Sequence, residues 1–414
     1  MADVSIVIPC LNEREAVGHC VRVAREALTL LAARHGLTGE VLVADNGSTD
    51  GSQAIAEAAG ARVVAIPRRG YGAALRGGFT AATGRYLVMG DADGSYDFRD
   101  AVPMVEALMQ GADLCMGSRF KGGIKPGAMP WKNRYIGNPV LTGILNLLFR
   151  AGVDDAHCGL RALTRSCFER LRLEGDGMEF ASEMVIKAAL LDKRIAEVPT
   201  TLSPDLRGRP PHLRPWRDGW RHLRYLLMLS PAWLFALPAA LGALFALAVL
   251  LVSAASWLAG TDGGRIGNYW IILAGATLSV SHMAGILGLT GQLYGLREGF
   301  RQPSPGFAMA MRWLSLEAML VAGFTMLLAG IGALVAVFAY WSSAMGYGQI
   351  PNVLPAVLGT ALVAVGVQTV LGGFIVSIVS GHEAAFSRTV VPVPQSDAQP
   401  AAPAIALAYG PAAP

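Results

Sequence analysis

The chain has 414 residues, of which 53% are hydrophobic and only 15% charged, with a mean hydropathy of +0.43. That is too apolar for a wholly soluble protein of this size, so composition excludes one and implies a membrane. The net charge of +4 is too small to define a partner, and a nucleic acid is not expected to be one.

The opening segment MADVSIVIPCLNE lacks the basic start and the long apolar stretch of a secretory signal, so the first half is expected to stay in the cytoplasm. Apolar runs then alternate with helical patterns: VSIVIP before a helix at 14–33, EVLVAD before 52–59, ARVVAI before 71–83, and then RYLVMGD. Runs that are apolar throughout and alternate with helices predict an α/β fold with a mostly parallel sheet covered on both faces. Ligands of such sheets bind beyond the carboxyl ends of the strands. Polar residues gather at those ends, in PCLNE, DNGSTDGS, PRRGYG and DADGS. No GxGxxG follows the first strand and no GxxxxGK[ST] occurs anywhere, so dinucleotide and P-loop readings fall away.

The stretch MGDADGSYDF places Asp91, Asp93 and Asp97 within seven residues. Crowded carboxylates repel one another unless a cation or a donor lies between them. Small Ala92 and Gly94 let the chain turn and offer Asp91 and Asp93 together to a hard cation, which in turn would clamp a diphosphate. Asp-x-Asp alone is most often a turn. Here it ends a strand and faces Asp45 and Glu13 on neighbouring loops, which adds weight to a site. Asp97 suits either a ligand or the N-cap of the next helix. The cysteines Cys10, Cys20, Cys115, Cys158 and Cys167 are odd in number and lack CxxC spacing, so reduced thiols are expected.

Further along, HLRPWRDGWRHLRYLLMLSPAWLF sets Arg214, Arg217, Arg221 and Arg224 beside Trp216, Trp220, Leu223 and Leu227 at helical spacing. That pattern predicts an amphipathic helix lying in the membrane interface. Uncharged windows follow at 234–258, 269–292, 318–341 and 353–380, each long enough to cross a hydrocarbon core that needs about 20 residues. Arg297, Arg301 and Arg312 lie between the second and third spans, so the positive-inside rule puts that loop and both termini in the cytoplasm. His282 and Gln292 are the notable polar groups in the spans. The expected organisation is a cytoplasmic α/β domain over 1–210, the interfacial helix over 211–230, four spans over 231–382 and a disordered Pro/Ala-rich tail over 383–414. The Gly- and Ala-rich spans suit close helix contact, within the chain or in a homo-oligomer.

The ordered motifs SIVIPCLNE, VLVADNGSTDGS, GDADGSYDF, MGSRF, PWKNRYIGN, DAHCGLR and EVPTTL resemble family-2 inverting glycosyltransferases of the A-type fold. Within these, the chain is most similar to the polyprenyl-phosphate branch typified by dolichol-phosphate mannose synthase. The resemblance implies transfer of a hexose from a nucleotide-sugar, UDP- in preference to GDP-linked, to a polyprenyl phosphate at the cytoplasmic face of an inner membrane, with Mg²⁺ or Mn²⁺. It implies that Pro9, Asn12, Glu13, Asp45, Asn46, Gly72, Asp91 and Ala92 form the nucleotide-sugar wall and that Asp91 and Asp93 bind the metal. The family's third ligand position is Ser95 here, a departure that leaves Ser95, Asp97 or water to complete the set. Arg119 and Arg134 correspond to arginines that meet phosphates at the acceptor mouth, and Arg209 and His212, in RGRPPHLR, to a basic segment beside the lipid phosphate or donor diphosphate. A phosphate acceptor is already an anion and needs no general base. Two alternatives stand at this point. One is a processive polysaccharide synthase, although RPWRDGW lacks the Gln of QxxRW. The other is a membrane scaffold with a degenerate transferase domain, against which the retained Asp91 and Asp93 argue.

Overall fold

In the computed structural model, the structure describes residues 2–207, 215–260, 266–299, 301, 307, 309, 311, 314–344 and 352–381. The expectations for Arg209, His212, Arg214, Arg312 and the tail fall outside these residues, as do the side chains of Trp216, Arg217 and Arg221.

Seven strands, β1 (Val4–Cys10), β2 (Gly39–Asp45), β3 (Arg62–Ala65), β4 (Tyr86–Met89), β5 (Leu114–Ser118), β6 (Arg161–Thr164) and β7 (Ile195–Pro199), form one sheet in the order β3-β2-β1-β4-β6-β5-β7. All neighbours pair in parallel except β6, which runs antiparallel between β4 and β5. The central strands are apolar on both faces because both are covered. On one side α1 (Val17–His35) and α4 (Ala101–Met109) pack Val21, Leu31, Met104 and Val105 against Ile6, Ile8 and Val88. On the other, α3 (Tyr71–Ala81), α6 (Asn138–Phe149) and α8 (Glu179–Leu190) pack Leu75, Phe79, Leu145, Phe149 and Phe180 against Val7, Leu42 and Leu87. Short helices α2 (Ser52–Ala58), α5 (Arg119–Gly122) and α7 (Arg165–Leu171) complete this part. The five cysteines are free and buried, as expected of reduced thiols.

Helix α1 begins three residues later than the pattern predicts, because the Glu13 carbonyl accepts from the amides of Ala16 and Val17 and holds 13–16 as a turn. That turn keeps Glu13 at the sheet rim instead of inside a helix.

The helix expected to lie in the membrane interface, α9 (Pro215–Met228), packs on α8 and α6. Its Leu226 is buried in the second core, and its His222 Nδ1 lies 2.9 Å from Ser182 Oγ, while Trp220 stays 62% exposed. Among the described residues, four helices are long and apolar enough to cross a membrane: Ala232–Leu258, Asn268–Arg297, Leu316–Ser343 and Leu354–Ser380. The third and fourth are tightly paired. A Cβ on Gly323 or Gly330 would meet the backbone oxygen of Gly366 or Gly359 at 2.9 and 2.8 Å, so those small residues are used for contact within one chain. The spans also hold polar pairs beyond His282 and Gln292: Gln368 Nε2 donates to Ser279 Oγ at 2.9 Å, and Thr369 Oγ1 lies 3.1 Å from His282 Nε2. Gln292 accepts from Arg301 Nη1 at 2.7 Å, and Arg301 Nη2 also bonds the Leu229 carbonyl, tying the end of α9 to the second membrane helix.

Candidate active site

The chain runs β1, β2, β3 outward and then returns to place β4 on the other side of β1. Loops leaving β1 and β4 therefore part at a crevice, the place where an open α/β sheet receives its ligand. Glu13, Asp91 and Asp93 stand there.

The loop after β4 is shaped by its own bonds. Asp93 Oδ1 accepts from the Ser95 amide at 2.9 Å, and Gly94 turns the chain at φ +76°, a conformation that suits glycine. Asp91 Oδ1 accepts from the Tyr71 hydroxyl at 2.8 Å. Burial, and then the charge of Asp93, raise the Asp91 carboxyl to about 6, while the Tyr71 hydrogen bond and Arg207 pull it down. Gly159 allows close approach on the other side, since a Cβ there would lie 2.5 Å from Asp91 Oδ2. Tyr96, fully packed behind the loop, accepts from the Gly159 amide at 2.9 Å.

After β7 the chain crosses back over this loop. Ser203 N donates to the Ser95 carbonyl at 2.9 Å and Leu206 N to the Asp93 carbonyl at 2.8 Å. That path delivers Arg207 onto the acids: Nη2 is 2.6 Å from Asp93 Oδ2 and 3.3 Å from Asp205 Oδ2, and Nη1 is 3.4 Å from Glu13 Oε1. A guanidinium seated on Asp93 is a stand-in for a cation, so the pocket's chemistry fits positive charge. Among the described residues no three His, Cys, Asp or Glu side chains converge as a metal set. A hard cation held by Asp91 and Asp93 would thus fill its other positions with water and ligand phosphate oxygens, the usual pattern for Mg²⁺.

Several residues expected at the site are occupied in holding its loops. Asp45 accepts from the amides of Gly47 and Ser48 and from Gln53 Nε2, all between 3.1 and 3.3 Å. Asn46 donates to the carbonyls of Ile66 and Arg68 and accepts from Gly70 N at 2.8 Å. Asn12, at φ +58°, accepts from Thr49 N at 2.8 Å. These bonds sew the ends of β1, β2 and β3 into one wall, with Pro9 on β1 and Ala92 buried behind it. Gly72 faces elsewhere: it packs on Gly175, Gly177 and Phe180, leaving no room for a side chain. Asp97 caps the short helix that follows it. It accepts from Arg99 N at 2.9 Å and pairs with the Arg99 guanidinium.

Arg119 departs from the expected phosphate contact. It is buried, and its Nε and Nη2 form a two-pronged pair with Asp155 at 2.6 and 2.7 Å. Burial opposes its charge, but the paired carboxylate of Asp155 holds it protonated. The pair fixes DAHCGLR against the end of β5. Arg161, fully buried, finishes that loop by donating to the carbonyls of Cys158, Ala156 and Ala181. Arg134 remains accessible in a π-helical turn over Asn133–Gly137, its guanidinium 5.4 Å above the Tyr135 ring. Glu183 is structural: buried beside Lys187, it accepts from the amides of Glu174 and Gly175. Glu179 likewise accepts from Gly177 N.

Tyr71, Asp155 and Arg207 carry no local pattern that marks them as site residues. Tyr71 is hidden in an ordinary helix start, and Arg207 acts from more than 100 residues beyond Asp93. The basic run beginning at Arg207 was the available signal.

An acidic crevice at the switch point of an α/β sheet is here joined to helices long and apolar enough to cross a membrane, and comparison with known proteins places that combination in one class, the membrane-associated glycosyltransferases. Residues 5–172 match Glycosyl transferase family 2, and residues 289–380 match the Glycosyltransferase family 2 C-terminal transmembrane region. The chain is 35% identical over 382 residues to the low-salt glycan biosynthesis hexosyltransferase Agl6 of Haloferax volcanii, covering 90% of this chain and 87% of that one. It therefore belongs to glycosyltransferase family 2. It is also 28% identical over 211 residues to a dolichol-phosphate mannosyltransferase of Pyrococcus furiosus, covering 50% of this chain and 58% of that one. Among solved structures, a glucosyl-3-phosphoglycerate synthase from Mycobacterium tuberculosis, in complex with Mn²⁺, UDP and its product, is 23% identical, covering 55% of this chain and 78% of that one, with a TM-score of 0.41.

Proposed function

We propose that this glycosyltransferase moves a hexose from a UDP-sugar to a polyprenyl phosphate on the cytoplasmic face of the membrane. The observation that carries the lipid acceptor is an exposed apolar face on the turn that holds Arg134. Trp131, Tyr135, Ile136, Val140 and Leu147 are each more than half exposed along the π-helical turn and α6. The end of that helix borders a cavity of about 410 Å³ that Ser230, Ala232 and Trp233 also line, where the first membrane helix begins. An aromatic and aliphatic face continuous with a membrane helix suits a lipid that must bring its head to the crevice. The names of the relatives support the same reading, since one is a dolichol-phosphate mannosyltransferase and another, from Haloferax volcanii, a dolichyl-phosphate hexose transferase.

Asp91 and Asp93 would hold a divalent cation, which when bound neutralises the diphosphate of the departing nucleotide. Arg134, on the lipid-facing turn, meets the acceptor phosphate with a fork that never loses its charge. Arg119 acts from behind, fixing the loop that carries Gly159 against Asp91. A phosphate monoester is already anionic, so the chain has only to align two anions and screen their repulsion. Single displacement inverts the anomeric centre. The test is incubation of the purified protein with labelled nucleotide-sugars, polyprenyl phosphate and Mn²⁺ or Mg²⁺. A labelled chloroform-soluble monosaccharide lipid supports the reading, and its absence with every donor refutes it.

A further inference from the structure

We infer that Arg207 is a built-in competitor of the divalent cation, holding the acidic crevice closed to bare metal so that the cation enters as its complex with the nucleotide. This rests on the assignment of Asp91 and Asp93 to the cation. The guanidinium takes the Asp93 Oδ2 atom at 2.6 Å and reaches Glu13 and Asp205 as well, so one positive charge serves three carboxylates. With Asp93 Oδ1 already accepting from the Ser95 amide, the oxygen with fewer protein bonds is Oδ2, and that is where Arg207 sits. A divalent cation brought to that oxygen would stand directly against the guanidinium's positive charge, so the two compete for it.

The seat is also imperfect for an arginine. Arg207 Nε is buried with no hydrogen-bond partner, and an unpaired buried donor costs about 1–3 kcal/mol. The side chain is therefore held by the acids' charge rather than by a complete set of bonds, and a ligand of higher charge density can displace it. A bare divalent ion gains two carboxylates there but must expel the arginine and shed water. The same ion carrying a nucleotide diphosphate brings its own oxygen ligands and gives the displaced guanidinium an anion to meet. Arg207 thereby positions the donor's cation and makes its binding depend on the nucleotide.

The test measures Mn²⁺ binding to the intact detergent-purified protein by electron paramagnetic resonance, with and without UDP. Arg207→Gln is expected to tighten Mn²⁺ binding without nucleotide by about tenfold, the effect of losing one competing charge pair worth about 1.4 kcal/mol. The factor by which UDP improves Mn²⁺ affinity is expected to shrink accordingly. Arg207→Lys, which keeps the charge without the fork, is expected to fall between the two and serves if the Gln variant does not fold. Unchanged or weaker Mn²⁺ binding in these variants, with Asp93→Asn still abolishing it, overturns the role of Arg207 alone. If Asp93→Asn binds Mn²⁺ like the wild type, the metal assignment itself is wrong.

Discussion

The Tyr71 hydroxyl donates to Asp91 Oδ1 at 2.8 Å, so the first turn of α3 steadies one of the two carboxylates at the end of β4. The bond favours the charged carboxylate against burial and the neighbouring Asp93. Tyr71→Phe keeps the packed ring and removes only the donor. It is expected to lower kcat/KM about tenfold, the usual effect of losing one hydrogen bond to a charged group. Thermal unfolding in detergent is expected to change little, and a large loss of stability would reassign Tyr71 to packing.

Arg119 and Asp155 form a buried ion pair in which both carboxylate oxygens are used. Removing one partner strands the other in a low-dielectric site, at a penalty of about 3–5 kcal/mol. Arg119→Leu is therefore expected to lower the unfolding temperature sharply, while Arg119→Lys recovers only part of the loss because lysine lacks the fork. Activity lost with stability unchanged would instead make Arg119 a direct phosphate contact.

His157 gives the protein an acid limit. Its Nε2 is buried without a partner, and burial, reinforced by nearby His222 and Arg119, depresses its pKa to about 3. The unfolded side chain titrates near pH 6.5, so below that value protons bind the unfolded chain in preference. Stability is complete above about pH 6.5 and falls toward pH 3 by at most about 1.4 kcal/mol per pH unit from this group. His157→Gln is expected to flatten the dependence of unfolding temperature on pH between 6.5 and 4.5. An identical slope in wild type and variant would show that other groups set the limit.

Arg134 stands on the π-helical turn beside exposed Trp131, Tyr135 and Ile136, where the proposed function puts the acceptor phosphate. Arg134→Gln is expected to raise KM for polyprenyl phosphate about tenfold with KM for the nucleotide-sugar unchanged, as loss of a charge-assisted contact implies. A rise in the donor's KM instead would move Arg134 to the diphosphate.

Much of this architecture was legible because its causes are local. Uniformly apolar strands, polar strand ends and uncharged windows are periodic signals, and they located the parallel sheet, its rim and the four spans. The antiparallel β6 was not legible, since a four-residue strand has no pattern to set its direction. Roles that depend on partners far apart in the chain were also hidden. Asp45, Asn46 and Asn12 carry site-like side chains, but their bonds are to the loops around them. Arg119 reads as a phosphate arginine until Asp155 is seen against it, and Arg207 lies on Asp93 only because the strap after β7 folds back over DADGS. The short motifs point to the acids of the crevice, while tertiary contacts decide which side chains face it.

The central claim is that the nucleophile is a lipid phosphate requiring no general base. It is tested most directly by offering the purified protein a labelled UDP-sugar with polyprenyl phosphate or with the matching polyprenol, and analysing the products. The expected result is one inverted sugar on polyprenyl phosphate, extracted into chloroform, and none on the alcohol. Equal transfer to polyprenol, or a polymer in place of a monosaccharide lipid, would contradict it.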